Sequence, residues 1–174
     1  MNWLDRQLWN ARKMFLINGG NLTQKDLCYI FPDLLSNVRC GVHIPNGWVH
    51  LVYDVLLFIQ EHNDNGEGGS PIIIEQIKEK FGGLRVYISG GRQRAKKEKV
   101  GFLRPPWRDI SCIYAILSFA ERYSLHICQE TGGIKDLGYT KGWFSVVGEN
   151  YSGGNDYVKQ NPFSMLLAKY GDAF

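Results

Sequence analysis

The chain lacks any uninterrupted apolar run near the roughly 20 residues that a membrane-spanning helix needs, so no membrane partner is expected. The opening stretch, MNWLDRQLWNARK, sets charges among its apolar positions and does not read as a secretory signal. Cysteine is sparse: Cys28, Cys40, Cys112 and Cys128 stand without framework spacing, which points to free thiols in a reducing compartment. A cytoplasmic location is the expectation. Catalytic signatures are missing as well. SGGRQR and GENYSGGN lack the Lys-Ser/Thr pair and the strand-loop-helix order of a phosphate loop. No G-x-S-x-G elbow and no His-Glu-x-x-His pair occurs. His43, His50, His62 and His126 are scattered, and the ordinary fate of such histidines is a satisfied or exposed ring. Glu75 and Glu79 could share a strand face as general acid and base, but carboxylates there more often bond neighbouring lysines. The reading is of a protein without turnover and without a cofactor.

What the chain does have is core material. Its 174 residues fit one domain, 44% are apolar, and 5 Trp, 9 Tyr and 9 Phe supply bulk. We therefore read residues 1–174 as a single globular domain. Trp3, Leu4, Leu8, Ala11, Phe15 and Leu16 recur at helical spacing, predicting a terminal amphipathic helix over 2–17. Thr23 is placed to cap a short helix that carries Leu27, Tyr29 and Ile30 and stops before Pro32. Residues 48–62 and 110–123 are apolar over most of a helical circumference and should be buried, the second capped by Asp109.

Between those helices, IIIEQIKEKFGGLRVYIS alternates like a strand on either side of Gly82-Gly83, a hairpin signal. Pairing Phe81 with Leu84 puts Ile73, Ile77, Phe81, Leu84, Val86 and Ile88 on one face. Ile74, Gln76, Lys78, Lys80, Arg85, Tyr87 and Ser89 then lie on the other. WFSVV (143–147) and LHIC (125–128) are further strand candidates, and Tyr157, Val158, Leu166 and Leu167 suggest helical runs broken at Pro162. The expected class is α+β: an antiparallel sheet built on a central hairpin, packed against two buried helices, with the terminal amphipathic helix added.

Charge is unevenly spread although the net value is only +3. RQRAKKEKVGFLRPPWR (92–108) is strongly basic, whereas the 61–69 stretch contributes Glu61, Asp64 and Glu67 and no Lys or Arg. Such asymmetry suits a charged partner, although a solvated loop would look the same. Near the end, Cys128 lies three residues before Thr131, where a zinc ribbon would carry its second cysteine. Gly148 and Tyr151 stand at the same spacing where Cys and His would complete four ligands. Only His126 accompanies Cys128 as a ligand type, so no metal is expected.

NGW (46–48), KFGGLR (80–85), AERYS (120–124) and CQETGG (128–133) fall in an order that resembles an uncharacterised family of small bacterial and phage proteins. Its members carry a C-terminal zinc ribbon, and the resemblance covers about residues 40–151. The resemblance implies a ribbon that kept its loops and lost its metal, in genes tied to conflict between cells or with phage. It brings no established activity. The expectation that follows is a non-catalytic, immunity-type inhibitor that neutralises a toxin effector by stoichiometric binding. Partner-binding residues would be Glu61, Asp64 and Glu67 on one side and Lys78, Lys80, Arg85 and Tyr87 on the other. The alternative is a nucleic-acid-binding accessory protein using the basic region 78–104, where aromatic rings among cations suit stacking and phosphate contact.

Overall fold

The computed structural model describes residues 22–38, 41–65, 70–91, 110–141, 144–151 and 157–159. The expected terminal helix over 2–17, the basic stretch 92–108, Asp109, Glu67, Trp143 and the residues after Lys159 lie outside these.

The fold is α+β. Helix α1 (Gln24–Ile30) starts at a capping box in which the Thr23 hydroxyl and Asp26 carboxylate each accept from the other's backbone N–H. Pro32 opens the short α2 (Pro32–Leu35). A two-residue strand β1 (Val42–His43) and a 3-10 turn (Asn46–Trp48) lead into α3 (Val49–Asn65), longer than its periodicity predicts. The hairpin strands are β2 (Ile72–Lys80) and β3 (Gly83–Gly90), followed by α4 (Ile110–Ser124). A second small sheet follows: β4 (Leu137–Thr140), β5 (Val146–Gly148) and β6 (Tyr157–Val158). LHIC is a series of turns rather than a strand, because His126 and Ile127 donate back to Tyr123 and Ser124 as α4 unwinds. Tyr157 and Val158 form a strand paired with β4 rather than a helix. Two residues are too few for a period to be read, so only the partner strand decides.

In the first sheet β1 runs parallel to β2, which pairs antiparallel with β3. Two corrections concern the hairpin. Lys80 pairs with Gly83, so Phe81 and Gly82 are the turn residues, with φ of 54° and 79°. That is the double left-handed signature of a primed turn, and the non-glycine member, Phe81, swings outward at 55% exposure instead of joining the core. A bulge also lies between Ile74 and Gln76, where β2 spends an extra residue against β3. The phase slips by one, so Ile72, Ile74 and Ile77 are buried together and Ile73 is only half-buried.

The core joins this inner face, with Leu84, to Trp48, Val49, Val52, Leu56 and Ile59 of the α3 region and Ile113 of α4. Each such side chain contributes about 1.5–3 kcal/mol on burial, before conformational losses. Asn63, near the end of α3, donates to the Ile72 carbonyl at 2.9 Å and accepts its N–H at 2.8 Å, which sets where β2 begins. At the β3 edge of the sheet the Ser124 hydroxyl accepts the outward N–H of Leu84 at 2.8 Å and fastens α4 beside β3.

Candidate functional site

The outer face of the hairpin gathers most of the expected partner-binding residues. Lys78 pairs with Arg85 and Gln76 with Tyr87, and after the bulge all four share one side with Lys80. His43 of β1 stands opposite Lys78 and extends the row. The Lys78 ammonium lies 5.3 Å from the centre of the Tyr87 ring, and Lys80 lies 5.3 Å from Phe81. Both contacts hold cations over rings that are themselves exposed. Arg85 has a second task. Its guanidinium is 2.5 Å from the Glu121 carboxylate of α4 and bonds the Leu84 carbonyl. Its charge is engaged inside the molecule, which leaves Lys78, Lys80 and Tyr87 as the free-standing part of the face.

The acidic residues lie elsewhere. Glu61 and Asp64 belong to the last turns of α3 and not to a loop, and Asp64 accepts from Gln60 at 2.9 Å. Helix α3 continues past His62 because Asn65 closes its end by bonding the Glu61 carbonyl at 2.8 Å. Glu75 and Glu79 each have a local hydrogen-bond partner. Glu75 accepts from Ser89 across the strands, and Glu79 accepts the Gly82 N–H at 2.6 Å and so supports the turn.

Residues Cys128 to Gly133 form a tight turn, the knuckle, closed by backbone hydrogen bonds. Cys128 is 1% exposed. Its backbone N–H donates to Gly133, Gly132 donates back to Cys128, and the Gly148 N–H points at its Sγ at 3.2 Å. Burial pushes the Cys128 thiol up. The Thr131 hydroxyl and the N–H groups of Gly148, Thr131 and Glu130 outweigh this and hold it below the usual thiol value. A ring of donors around sulfur is what a thiolate requires. A structural zinc ion, however, requires four nitrogen or sulfur ligands. Among the described residues no three His, Cys, Asp or Glu side chains converge to hold a metal. Thr131 and Gly148 supply no thiolate, so the donor set does not fit zinc.

The knuckle does serve as the meeting point of the four segments that carry the resemblance. Gly47 donates to the Gln129 carbonyl at 2.8 Å, and a Cβ at Gly47 would collide with the backbone at Cys128, Gln129 and Gly132. The Gln129 amide donates to the Gly82 carbonyl at 3.2 Å, while the Phe144 ring fills the space a side chain at Gly82 would need. Glu121 and Ser124 hold Arg85 and Leu84. NGW, KFGGLR, AERYS and CQETGG thus form one interlock, a structural role that spacing alone does not announce. No sequence signal predicted the Gln129 contacts.

Two clefts flank the knuckle. One, of about 430 Å3, is lined by Cys128, Thr131, Asp136 and Glu149 among others. The second, of about 640 Å3, lies between the knuckle, the start of α3 and the end of α4, with His50, Asp54, Tyr123 and Glu130 on its walls. No helix among the described residues is long and apolar enough to cross a membrane. Compared with protein-family models, with curated proteins and with solved structures, the chain finds no match in any of the three.

Proposed function

We propose that the protein is a non-catalytic cytoplasmic binding protein, an immunity-type inhibitor that neutralises a bacterial toxin effector by stoichiometric association. The observation that carries this reading is the hairpin's outer face: Lys78, Lys80 and Tyr87 stand together on two hydrogen-bonded strands backed by the main core. A rigid face with an aromatic ring among desolvatable cations provides interface anchors without a large ordering cost. Its positive charge steers encounter with an acidic surface. The interlock at the knuckle supports the same reading, since it keeps the scaffold fixed while the outward residues are left to match a partner.

The test is co-expression with candidate bacterial toxin effectors. Protection should rise with inhibitor dose to one equivalent and disappear in the Lys78→Glu, Lys80→Glu double variant. Full protection far below one equivalent would mean turnover and end the proposal.

The same face supports a second reading as a nucleic-acid-binding accessory protein, because the Lys78–Tyr87 contact offers phosphate attraction beside a stacking platform. Retention on single-stranded RNA or DNA that falls steeply with salt, with no toxin complex, would favour it over inhibition.

A further inference from the structure

The cleft of about 640 Å3 beside the knuckle is assembled from separate parts of the chain. Its size is in the range of about 300–1,000 Å3 common for ligand pockets. Asp54, on the second turn of α3, and Glu130, in the knuckle loop, contribute carboxylates from different elements. Tyr123, at the end of α4, contributes a ring whose plane is set by stacking on Phe119 at 5.5 Å. Thr23 and Thr131 also line it, their hydroxyls already bonded to Asp26 and within the knuckle. At the base, Gly47 and Gly132 bring their backbones close enough that a Cβ on Gly132 would lie 3.0 Å from the Gly47 oxygen. That contact fixes the spacing of the walls.

The chemistry of this cleft is that of a cation receptor with a flat component. Two carboxylates from different walls attract positive charge, and an oriented aromatic ring favours a planar cation over a compact one. Carboxylate oxygens suit a forked donor set. Among the described residues, Asp54 is also short of stabilising partners. Partial desolvation against the cleft wall pushes its carboxyl up, and among the described residues His50, one turn earlier, acts against this. A cation arriving from outside would supply what the chain does not.

We propose that this cleft is a receptor for a guanidinium group, the arginine side chain of a protein partner, held between Asp54 and Glu130 with its plane against Tyr123. The proposal rests on the reading of the protein as a binding module. It adds a second anchor of opposite sign to the Lys78–Lys80 face.

The experiment measures the cleft alone, so it can fail or succeed independently of toxin protection. The full-length protein is titrated by NMR with a blocked Gly-Arg-Gly peptide, its Gly-Lys-Gly and Gly-norleucine-Gly analogues, and free arginine. Millimolar binding of the arginine peptide is expected, with shifts at Gly47, Tyr123, Glu130 and Gly132. Lysine should bind about tenfold more weakly, a difference of about 1.4 kcal/mol. Asp54→Asn and Glu130→Gln, both near-isosteric changes at exposed side chains, should each weaken binding severalfold without moving the thermal midpoint. Equal binding of lysine and arginine, indifference to both variants, or no binding of the arginine peptide in the millimolar range would overturn the proposal. Tighter binding of free arginine than of the peptide would assign the cleft to a small molecule and likewise overturn it.

Discussion

The two sheets of this molecule are held by different forces. The β1–β3 sheet rests on a continuous apolar core, with Ile74, Ile77, Leu56 and Ile59 all at 0% exposure. Among the described residues, the β4–β6 sheet has little of its own beyond Val146, Val147 and the buried Thr140. Its strands of two to four residues are too short to persist unaided. What secures it is polar and local: Gln129 donating to Val146 and to Gly82, Gly148 donating to Cys128, and Phe144 lodged between Tyr139 and the hairpin tip. Small lobes commonly solve this problem with a metal or a disulfide. Here the lobe borrows stability from the larger core through backbone contacts, so its stability should depend on fit at the seam and not on bulk.

Substitutions can separate the two regimes. The largest loss is expected for Trp48→Ala, since Trp48 is fully buried where α3 meets the sheet. It should cost about 3–5 kcal/mol and lower the denaturation midpoint of both sheets together. A two-step melt after this change would show the lobes to be uncoupled. Next is Gly47→Ala. The added methyl meets carbonyl oxygens and an amide nitrogen of the knuckle backbone, which no rotamer change can relieve. About 1–3 kcal/mol should be lost, and hydrogen exchange should rise at Gln129, Gly132 and Val146 before it rises at Ile74 or Ile77. Uniform acceleration would contradict the seam argument.

Cys128→Ser should cost less at neutral pH and be informative through its pH dependence. The folded thiol titrates below its unfolded value, so the unfolded chain holds more protons between the two values. The stabilisation from this group is therefore fully present above the unfolded thiol value, about 8.5, and is lost as pH falls through the folded one. The stability gap between wild type and Cys128→Ser should widen from neutral to mildly alkaline pH. A gap independent of pH would show that the donors around Sγ do not stabilise the thiolate. The smallest effect is expected for Tyr53→Phe. The Tyr53 hydroxyl is buried with no hydrogen-bond partner among the described residues, and burial pushes its ionisation up, followed by repulsion from Asp54. Removing it should be neutral or stabilising, within about 1 kcal/mol, whereas a clear loss would reveal a contact made by that oxygen.

The sequence made the large core legible because periodicity reports burial. The α+β class, the two buried helices and the hairpin all follow from apolar spacing. Two details escaped it. A bulge carries no residue signature in Ile-Glu-Gln, so the choice between Ile73 and Ile74 depended on a register known only from the partner strand. At Phe-Gly-Gly the more permissive pair was Gly82-Gly83, yet the turn uses Phe81, because Gly83 must pack as a buried strand residue. The outward row of Lys78, Lys80, Arg85 and Tyr87 was readable from alternation, but the recruitment of Arg85 by Glu121, 36 positions away in the chain, was not. The knuckle was legible as a loop pattern. Its role as a seam was not, since it arises from backbone contacts at glycines, which leave no side-chain pattern to read.

The hydroxyl of Ser124 carries one further consequence. By taking the outward amide of Leu84, it occupies a site through which β3 could recruit another chain, and α4 lies along that border. An unprotected strand border is a template for adding strands from other molecules, and with them for aggregation. Loss of a single oxygen at Ser124, as in Ser124→Ala, would free that amide and loosen the helix that covers it. The resulting defect should grow with protein concentration, so turbidity at high concentration would report it earlier than a melting curve of dilute protein.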